Sequence, residues 1–199
     1  LGESIILIGY RATGKTSVGR RLAARLVLPF VDLDQELEER QGCRIAELVA
    51  AHGWPFFRGL EREMLAGLIG GHDRVISTGG GAILHQDIWP QLKATSLVVW
   101  LTASRDTICQ RLLNDSQTAA QRPTLTGSDP YAEIATVLQE REPLYRASCH
   151  FAVDTSSLGP EEIVALIVER IPAARASSPP SHNGSYPAPI EKGAVTPER

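Results

Sequence analysis

The sequence predicts an α/β protein in which the strands of a parallel sheet alternate with helices. Three observations carry that prediction. Short apolar runs near residues 5–8, 30–33, 74–77, 97–101 and 150–154 are separated by longer stretches with helical spacing. The run Leu97-Val98-Val99-Trp100-Leu101 is nearly all apolar, as expected of a strand buried on both faces. The first run leads into Gly9-Tyr10-Arg11-Ala12-Thr13-Gly14-Lys15-Thr16 and then a helical pattern. Strand, glycine-rich turn, then helix is the context in which G-x-x-x-x-G-K-[ST] binds phosphate.

Taken in order, Ile5–Ile8 reads as a buried strand, and Val18, Leu22 and Leu26 mark one face of the helix that follows. Between them, Gly9 and Gly14 let the backbone bend and come close to an anion. Successive loop N–H groups at a helix N-terminus supply fixed donors for a polyphosphate. Lys15 reaches the β- and γ-phosphates, and the Thr16 hydroxyl suits Mg²⁺.

Phe30 to Leu33 reads as a second strand, ended by Asp34. Asp32 and Asp34 are two apart and so share a face of an extended strand. Either one serves Mg²⁺ and the other a substrate, or Asp34 merely caps a helix over Gln35–Gln41. Ile45, Leu48 and Val49 suggest a short helix broken at Gly53. A longer one then runs from Trp54 through Leu60, Met64 and Leu68 to Ile69, closed by Gly70-Gly71. So much helix between two strands exceeds a simple crossover and reads as a substrate-holding insertion over about 34–70. Arg58 follows two aromatics, either against the pocket wall or as a solvated helix arginine.

Arg74–Ser77 is the third strand, followed by Thr78-Gly79-Gly80-Gly81. Three glycines after a strand mean either a close backbone approach to a ligand or a flexible turn. No carboxylate stands at Ser77-Thr78, so a Mg²⁺ contact there would pass through a hydroxyl or water. Ile83 to Leu92 reads as a helix interrupted near Pro90. After the fourth strand, Ser104 is placed to cap a helix with Ile108, Leu112 and Leu113 facing inward and Arg111 along it. Polar residues from Asn114 lead to Arg122-Pro123, either an ordinary surface loop or a lid over about 114–127. As a lid, it would bring Arg122 over the γ-phosphate. Asp129-Pro130 opens a long helix striped by Ile134, Val137, Leu138, Leu144 and Tyr145, and carrying Arg141. His150–Asp154 is the fifth strand. Thr155 to Gly159 is a polar turn suited to wall an adenine ring, and Pro160 starts a final helix with Ile163, Leu166 and Ile167 inward. The domain is expected to span 1–171, with 172–199 a disordered Pro/Ser/Ala-rich tail.

The 199 residues fit one domain, and the net charge of −3 gives no basic footprint for nucleic acid. Arginine far outnumbers lysine, which favours a small anionic substrate gripped by guanidinium groups. Cys43, Cys109 and Cys149 form no C-x-x-C pattern and read as reduced thiols of a cytoplasmic protein. The first strand begins almost at once, so no signal peptide is expected, and no apolar run nears the roughly 20 residues that span a bilayer. No histidine pair has zincin spacing, so Mg²⁺ accompanying the nucleotide is the one metal expected.

In order along the chain, Gly9–Thr16, Asp32-Leu33-Asp34, Phe57-Arg58, Gly79-Gly80-Gly81, Arg122-Pro123 and Arg141-Glu142-Pro143-Leu144-Tyr145 resemble the motif set of the shikimate kinases. The resemblance covers Ser4 to about Ile171. It implies a nucleoside-monophosphate-kinase-like fold with a five-stranded parallel sheet in the order 2-3-1-4-5. It implies transfer of the γ-phosphoryl group of ATP to the 3-hydroxyl of shikimate, by a monomer in the pathway to chorismate and the aromatic amino acids. ATP would be held by Arg11, Ala12, Thr13, Gly14, Lys15, Thr16, Ser17, Arg111 and Arg122. Shikimate would be held by Asp34, Arg58, Gly80, Gly81 and Arg141, and Mg²⁺ by Thr16 and Asp32. Lys15, Asp34 and Arg122 would be catalytic. Members of the family commonly carry glycine where Ala12 stands; if that position needs positive φ, alanine adds strain. A kinase of another hydroxy acid, such as gluconate, is disfavoured by Arg58, the triple glycine and Arg141. A silent nucleotide-binding module would be expected to lose such acceptor residues first.

Overall fold

The computed structural model describes residues 2–114 and 130–176, with the side chains of 130–133 and 172–176 outside that description. The order is β1 (Ser4–Ile8), α1 (Lys15–Leu26), β2 (Phe30–Asp32), α2 (Leu33–Gln41), α3 (Ile45–Ala66), β3 (Val75–Ser77), a 3₁₀ turn (Ala82–Leu84), α4 (Trp89–Thr95), β4 (Ser96–Thr102), α5 (Arg105–Asn114), α6 (Pro130–Ser148), β5 (Phe151–Asp154) and α7 (Pro160–Ala176). Most of the expected lid, with Arg122, and the expected tail beyond residue 176 lie outside the described residues.

The strands form one parallel sheet in the expected order β2-β3-β1-β4-β5. Alternation along the central strand β1 decides the layers. Ile5 and Leu7 pack against Val18 and Leu22 of α1 and Ile163 and Ile167 of α7. Ile6 and Ile8 face the other way, against Leu65 of α3, Trp89 and Leu92 of α4 and Tyr145 of α6. Leu37, Ile45, Leu48 and Phe57 form a separate small core between α2 and α3. The sheet therefore fixes the phosphate loop, while a semi-independent helical unit holds Asp34 and Arg58. Among the described residues no helix is long and apolar enough to cross a membrane, and Cys43, Cys109 and Cys149 form no disulfide.

Several local expectations need correction. β2 stops at Asp32, and Leu33 and Asp34 already belong to α2. Asp32 caps that helix, its Oδ1 accepting from Asp34 N (3.1 Å) and Gln35 N (3.4 Å). The cap is thus Asp32, not Asp34, and the two carboxylates are neighbours across a strand-to-helix turn rather than along one strand face. The helix break expected at Gly53 is present (φ 81, ψ 166), but the longer helix after it ends at Ala66, short of Ile69. Pro90 does not interrupt a helix; it sits in the first turn of α4, where its missing N–H costs nothing. Ser104 caps α5 as expected, its Oγ accepting from Thr107 N at 3.2 Å. Leu113, however, is 85% exposed, because only Ile108 and Leu112 of that face meet Tyr10 and α6.

Two positions yield tests of the scaffold. α1 ends at Val27, whose φ of 56 and ψ of 46 lie in the left-handed region while its side chain is 90% exposed. A β-branched residue is strained there and gains no burial in return. Val27→Gly should raise stability by about 1 kcal/mol and the thermal midpoint by roughly 3 °C; an unchanged or lower midpoint in a thermal melt would count against the strain. His150 precedes β5, and its Nδ1 accepts from Val98 N at 3.0 Å, so the ring extends the β4–β5 ladder only while Nδ1 is unprotonated. Burial, and next the charge of Lys93, lower its pKa below the ordinary histidine value. The unfolded chain therefore takes up the proton first. Stability contributed by this histidine is complete above about pH 6.5 and is lost as pH falls through the lower folded-state pKa. His150→Asn keeps an acceptor without the titration. Urea unfolding at pH 7.5 and 5.5 should show a smaller acid loss for the variant than for the wild type, and equal losses would refute the assignment.

Candidate functional site

A cavity of about 450 Å³ opens where the carboxyl ends of β1, β2 and β3 meet the start of α1, and Lys15, Thr16, Asp32, Asp34 and Gly80 line it. Ligands of open α/β sheets bind at such an edge. The loop from Gly9 to Gly14 forms one side. Gly9 (φ 144) passes so close to β4 that a Cβ would lie 2.3 Å from Leu101 O, and Gly14 (φ 90) caps α1 in a conformation closed to most residues. Ala12 takes φ 60, so the positive φ anticipated for that position is present on alanine. Lys15 is buried, and its Nζ donates to Gly9 O (2.9 Å) and Tyr10 O (2.8 Å), which folds the ammonium across the mouth of the loop. Thr13 Oγ1 donates to Tyr10 O at 2.7 Å. Ser17 is exposed and accepts from Arg21, while Arg11 lines the cavity with its guanidinium 5.6 Å from the Tyr10 ring centre.

The pair expected to hold Mg²⁺ is brought together. Thr16 Oγ1 donates to Asp32 Oδ2 at 2.7 Å, joining the first turn of α1 to the end of β2. A hydroxyl and a carboxylate side by side are hard oxygen donors, which fits Mg²⁺. Among the described residues there is no cluster of three or more His, Cys, Asp or Glu side chains able to hold a metal.

Asp34 and Arg58 reach the glycine run from the helical unit. A Cβ on Gly79 would lie 2.7 Å from Asp34 Oδ1, and one on Gly81 would lie 2.1 Å from Arg58 Nη1. Only glycine admits both side chains so close to the backbone. Arg58 lies over Trp54 (5.4 Å) and Phe57 (5.2 Å) and pairs with Glu61 Oε2, so it is held against the glycine run rather than solvated. The same Glu61 oxygen lies 3.0 Å from His85 Nε2. Burial alone would raise the Glu61 pKa; the hydrogen bond from His85 and the charge of Arg58 outweigh it and hold the carboxyl below its ordinary value. From the opposite side, Arg141 of α6 donates to Gly80 O at 2.9 Å, and Tyr145 Oη donates to the same oxygen at 2.8 Å. Burial pushes the Tyr145 phenol well above its usual range, so it remains a donor. Two guanidinium groups from distant helices thus meet on consecutive glycines beside the phosphate loop.

Arg111 of α5 donates to Ala12 O (3.1 Å), Thr155 Oγ1 (3.0 Å) and Thr155 O (2.6 Å), and so ties the phosphate loop to the turn after β5. Arg122 lies outside the described residues. Sequence reasoning missed Glu61, although its position three residues after Arg58 on one helix was a readable signal. It quoted Tyr145 without giving it a task at the site, and it read Thr155 only as the start of a polar turn that could wall an adenine ring. Nothing local marks His85; only the fold brings it to Glu61.

Comparison with known proteins gives a consistent result. The family model described as shikimate kinase matches residues 11–172. A shikimate kinase of Syntrophus aciditrophicus is 42% identical over 181 residues, covering 87% of this chain and 93% of that protein. The protein named shikimate kinase 2 of Dickeya chrysanthemi is 41% identical over 174 residues, covering 86% and 99%. Among solved structures, the shikimate kinase of Acinetobacter baumannii in complex with shikimate superimposes with a TM-score of 0.79 at 31% identity, over 86% of this chain and 93% of that one.

Proposed function

The chain belongs to the shikimate kinase family, and we propose that the residues gathered at this cavity carry out the family reaction. It is an ATP-dependent kinase that moves the γ-phosphoryl group to the 3-hydroxyl of shikimate, giving shikimate 3-phosphate and ADP, within chorismate and aromatic amino-acid biosynthesis. The observation that carries the assignment of residues is the convergence of Asp34, Arg58 and Arg141 on the run Gly79-Gly80-Gly81, where Gly80 and Asp34 line the same cavity as Lys15. Two guanidinium groups grip one carboxylate, and the ring hydroxyls of the same small acid then face Asp34 and the phosphate loop.

Phosphoryl transfer asks for positioning and for stabilisation of charge. Backbone N–H groups of residues 11–17 cradle the phosphates of ATP, and Lys15 exchanges its loop carbonyls for β- and γ-phosphate oxygens. Arg58, Arg141 and the Gly80 and Gly81 backbone fix the shikimate carboxylate. Asp34 accepts a hydrogen bond from the 3-hydroxyl and then its proton as the oxygen bonds to the γ-phosphorus, while the bond to the β,γ-bridging oxygen breaks and ADP keeps the electron pair. Thr16 and Asp32 would hold Mg²⁺, which when bound neutralises charge on the phosphates. Arg111 borders the adenine, and Arg122, on the lid, contacts the transferring group. We place the protein in the cytoplasm as a monomer.

The test is ADP release with shikimate, with gluconate and with no acceptor, for the wild type and Asp34→Asn. Shikimate-dependent turnover should fall at least about a hundredfold in Asp34→Asn, with ATP affinity unchanged. Turnover on gluconate instead would move the substrate assignment, and ATP binding without turnover on any acceptor would support a silent nucleotide-binding module.

A further inference from the structure

Thr155 is the first residue after β5, it is 1% exposed, and neither the phosphate nor the shikimate contacts proposed above involve its side chain. Its hydroxyl oxygen lies 3.1 Å from Thr13 O, 3.0 Å from Thr102 O and 3.0 Å from Arg111 Nη1. Its backbone joins the same junction: Thr155 N donates to Thr102 O at 2.8 Å, and Thr155 O accepts from Arg111 Nη2 at 2.6 Å. Arg111 Nη1 also reaches Ala12 O at 3.1 Å. Thr102 O already accepts from Thr155 N, so the single hydroxyl proton of Thr155 is best used on Thr13 O; of two consecutive carbonyls of the phosphate loop, Arg111 then holds that of Ala12 and Thr155 that of Thr13.

The physical consequence follows from the peptide plane. In a trans peptide the C=O and N–H point in opposite directions. Holding Thr13 O on Thr155 turns the Gly14 N–H to the side away from it. Loop carbonyls left without such partners would be free to rotate toward a bound phosphate, where an oxygen dipole repels the anion. The hold matters more in this chain because Ala12 sits at φ 60, from which alanine, unlike glycine, gains by leaving.

We infer that Thr155 is a positioning residue for ATP: with Arg111, its hydroxyl fixes the Ala12 and Thr13 carbonyls and so presets the phosphate loop for the nucleotide. The inference rests on the kinase reading, because it needs the loop to receive a phosphate. Thr155→Val removes the hydroxyl and keeps the shape, and Thr155→Ser restores the hydroxyl. Binding of ATP without shikimate, and of shikimate without ATP, would be titrated calorimetrically for the three proteins, with thermal melts alongside. Thr155→Val should weaken ATP binding about tenfold, the worth of a hydrogen-bonding group in such a network. Shikimate binding should stay within about twofold, and Thr155→Ser should bind ATP like the wild type. ATP binding that is unchanged in Thr155→Val, or lost equally with shikimate binding, overturns the inference; the second result would mark a general structural role. If Thr155→Val does not fold, Thr155→Ser must still match the wild type for ATP, and failure to do so overturns it. A wild type that binds no ATP would instead bring down the kinase reading itself.

Discussion

Lys15→Met is expected to lower kcat by about a thousandfold, the loss found when a charge-stabilising donor leaves a phosphoryl or acyl transfer site. The reason lies in where the ammonium is kept. It is buried, and its hydrogen bonds to Gly9 O and Tyr10 O hold it across the loop before any ligand arrives. No reorganisation beyond exchange of those carbonyls for phosphate oxygens is then needed. Methionine keeps the stem and removes the charge. The KM for shikimate should change by less than about threefold, because the acceptor pocket keeps Arg58 and Arg141. Stability should fall by about 1–2 kcal/mol, since two buried carbonyls lose a charged donor. Lys15→Arg should not restore turnover, because a planar guanidinium is not an ammonium point charge. Steady-state ADP release and a urea titration read both effects. A Lys15→Met enzyme with more than about a tenth of wild-type kcat would show that the lysine does not act on the transferring group.

Gly9→Ala is the substitution expected to cost the most stability, about 3 kcal/mol or more. Two independent penalties meet there. The backbone φ of 144 is one that L side chains rarely adopt, and the new Cβ would fall 2.3 Å from Leu101 O. That oxygen belongs to the backbone of β4, beside the central strand, so it cannot swing aside as a side chain would. Gly59→Ala is the control. Gly59 lies in α3, and its Cβ would find no atom within 4 Å. There the helix preference for alanine should leave stability unchanged or raise it by up to about 1 kcal/mol. Denaturant midpoints of the two variants should therefore move in opposite directions or, at the least, differ by the full cost of Gly9→Ala. Similar midpoints would mean that the phosphate loop yields more readily than its contact with β4 implies.

Much of this protein was determined by the sequence alone, because local chemistry leaves local marks. Alternating apolar runs and helical spacing reveal the five strands and their order in the chain. The phosphate loop is legible because only glycine, lysine and a hydroxyl in that spacing meet the demands of a polyphosphate. Asp32, Asp34 and the triple glycine are visible as unusual residues at the ends of strands, whereas Arg58 and Arg141 lie within helices and Arg141 has a role in the sequence only through the family resemblance. What they do together is not visible, because they converge through contacts between residues far apart in the chain. Only the tertiary structure decided that Asp32, rather than Asp34, caps α2, since capping depends on where the strand actually stops. Only it showed that Gly79 and Gly81 are glycines to admit Asp34 and Arg58. The partnership of Glu61 with His85, 24 residues away, and the grip of Thr155 on Thr13, 142 residues away, carry no periodicity or motif. Such contacts are set by how the helices settle on the sheet, and a linear pattern records the face that a residue presents but not the residue it meets.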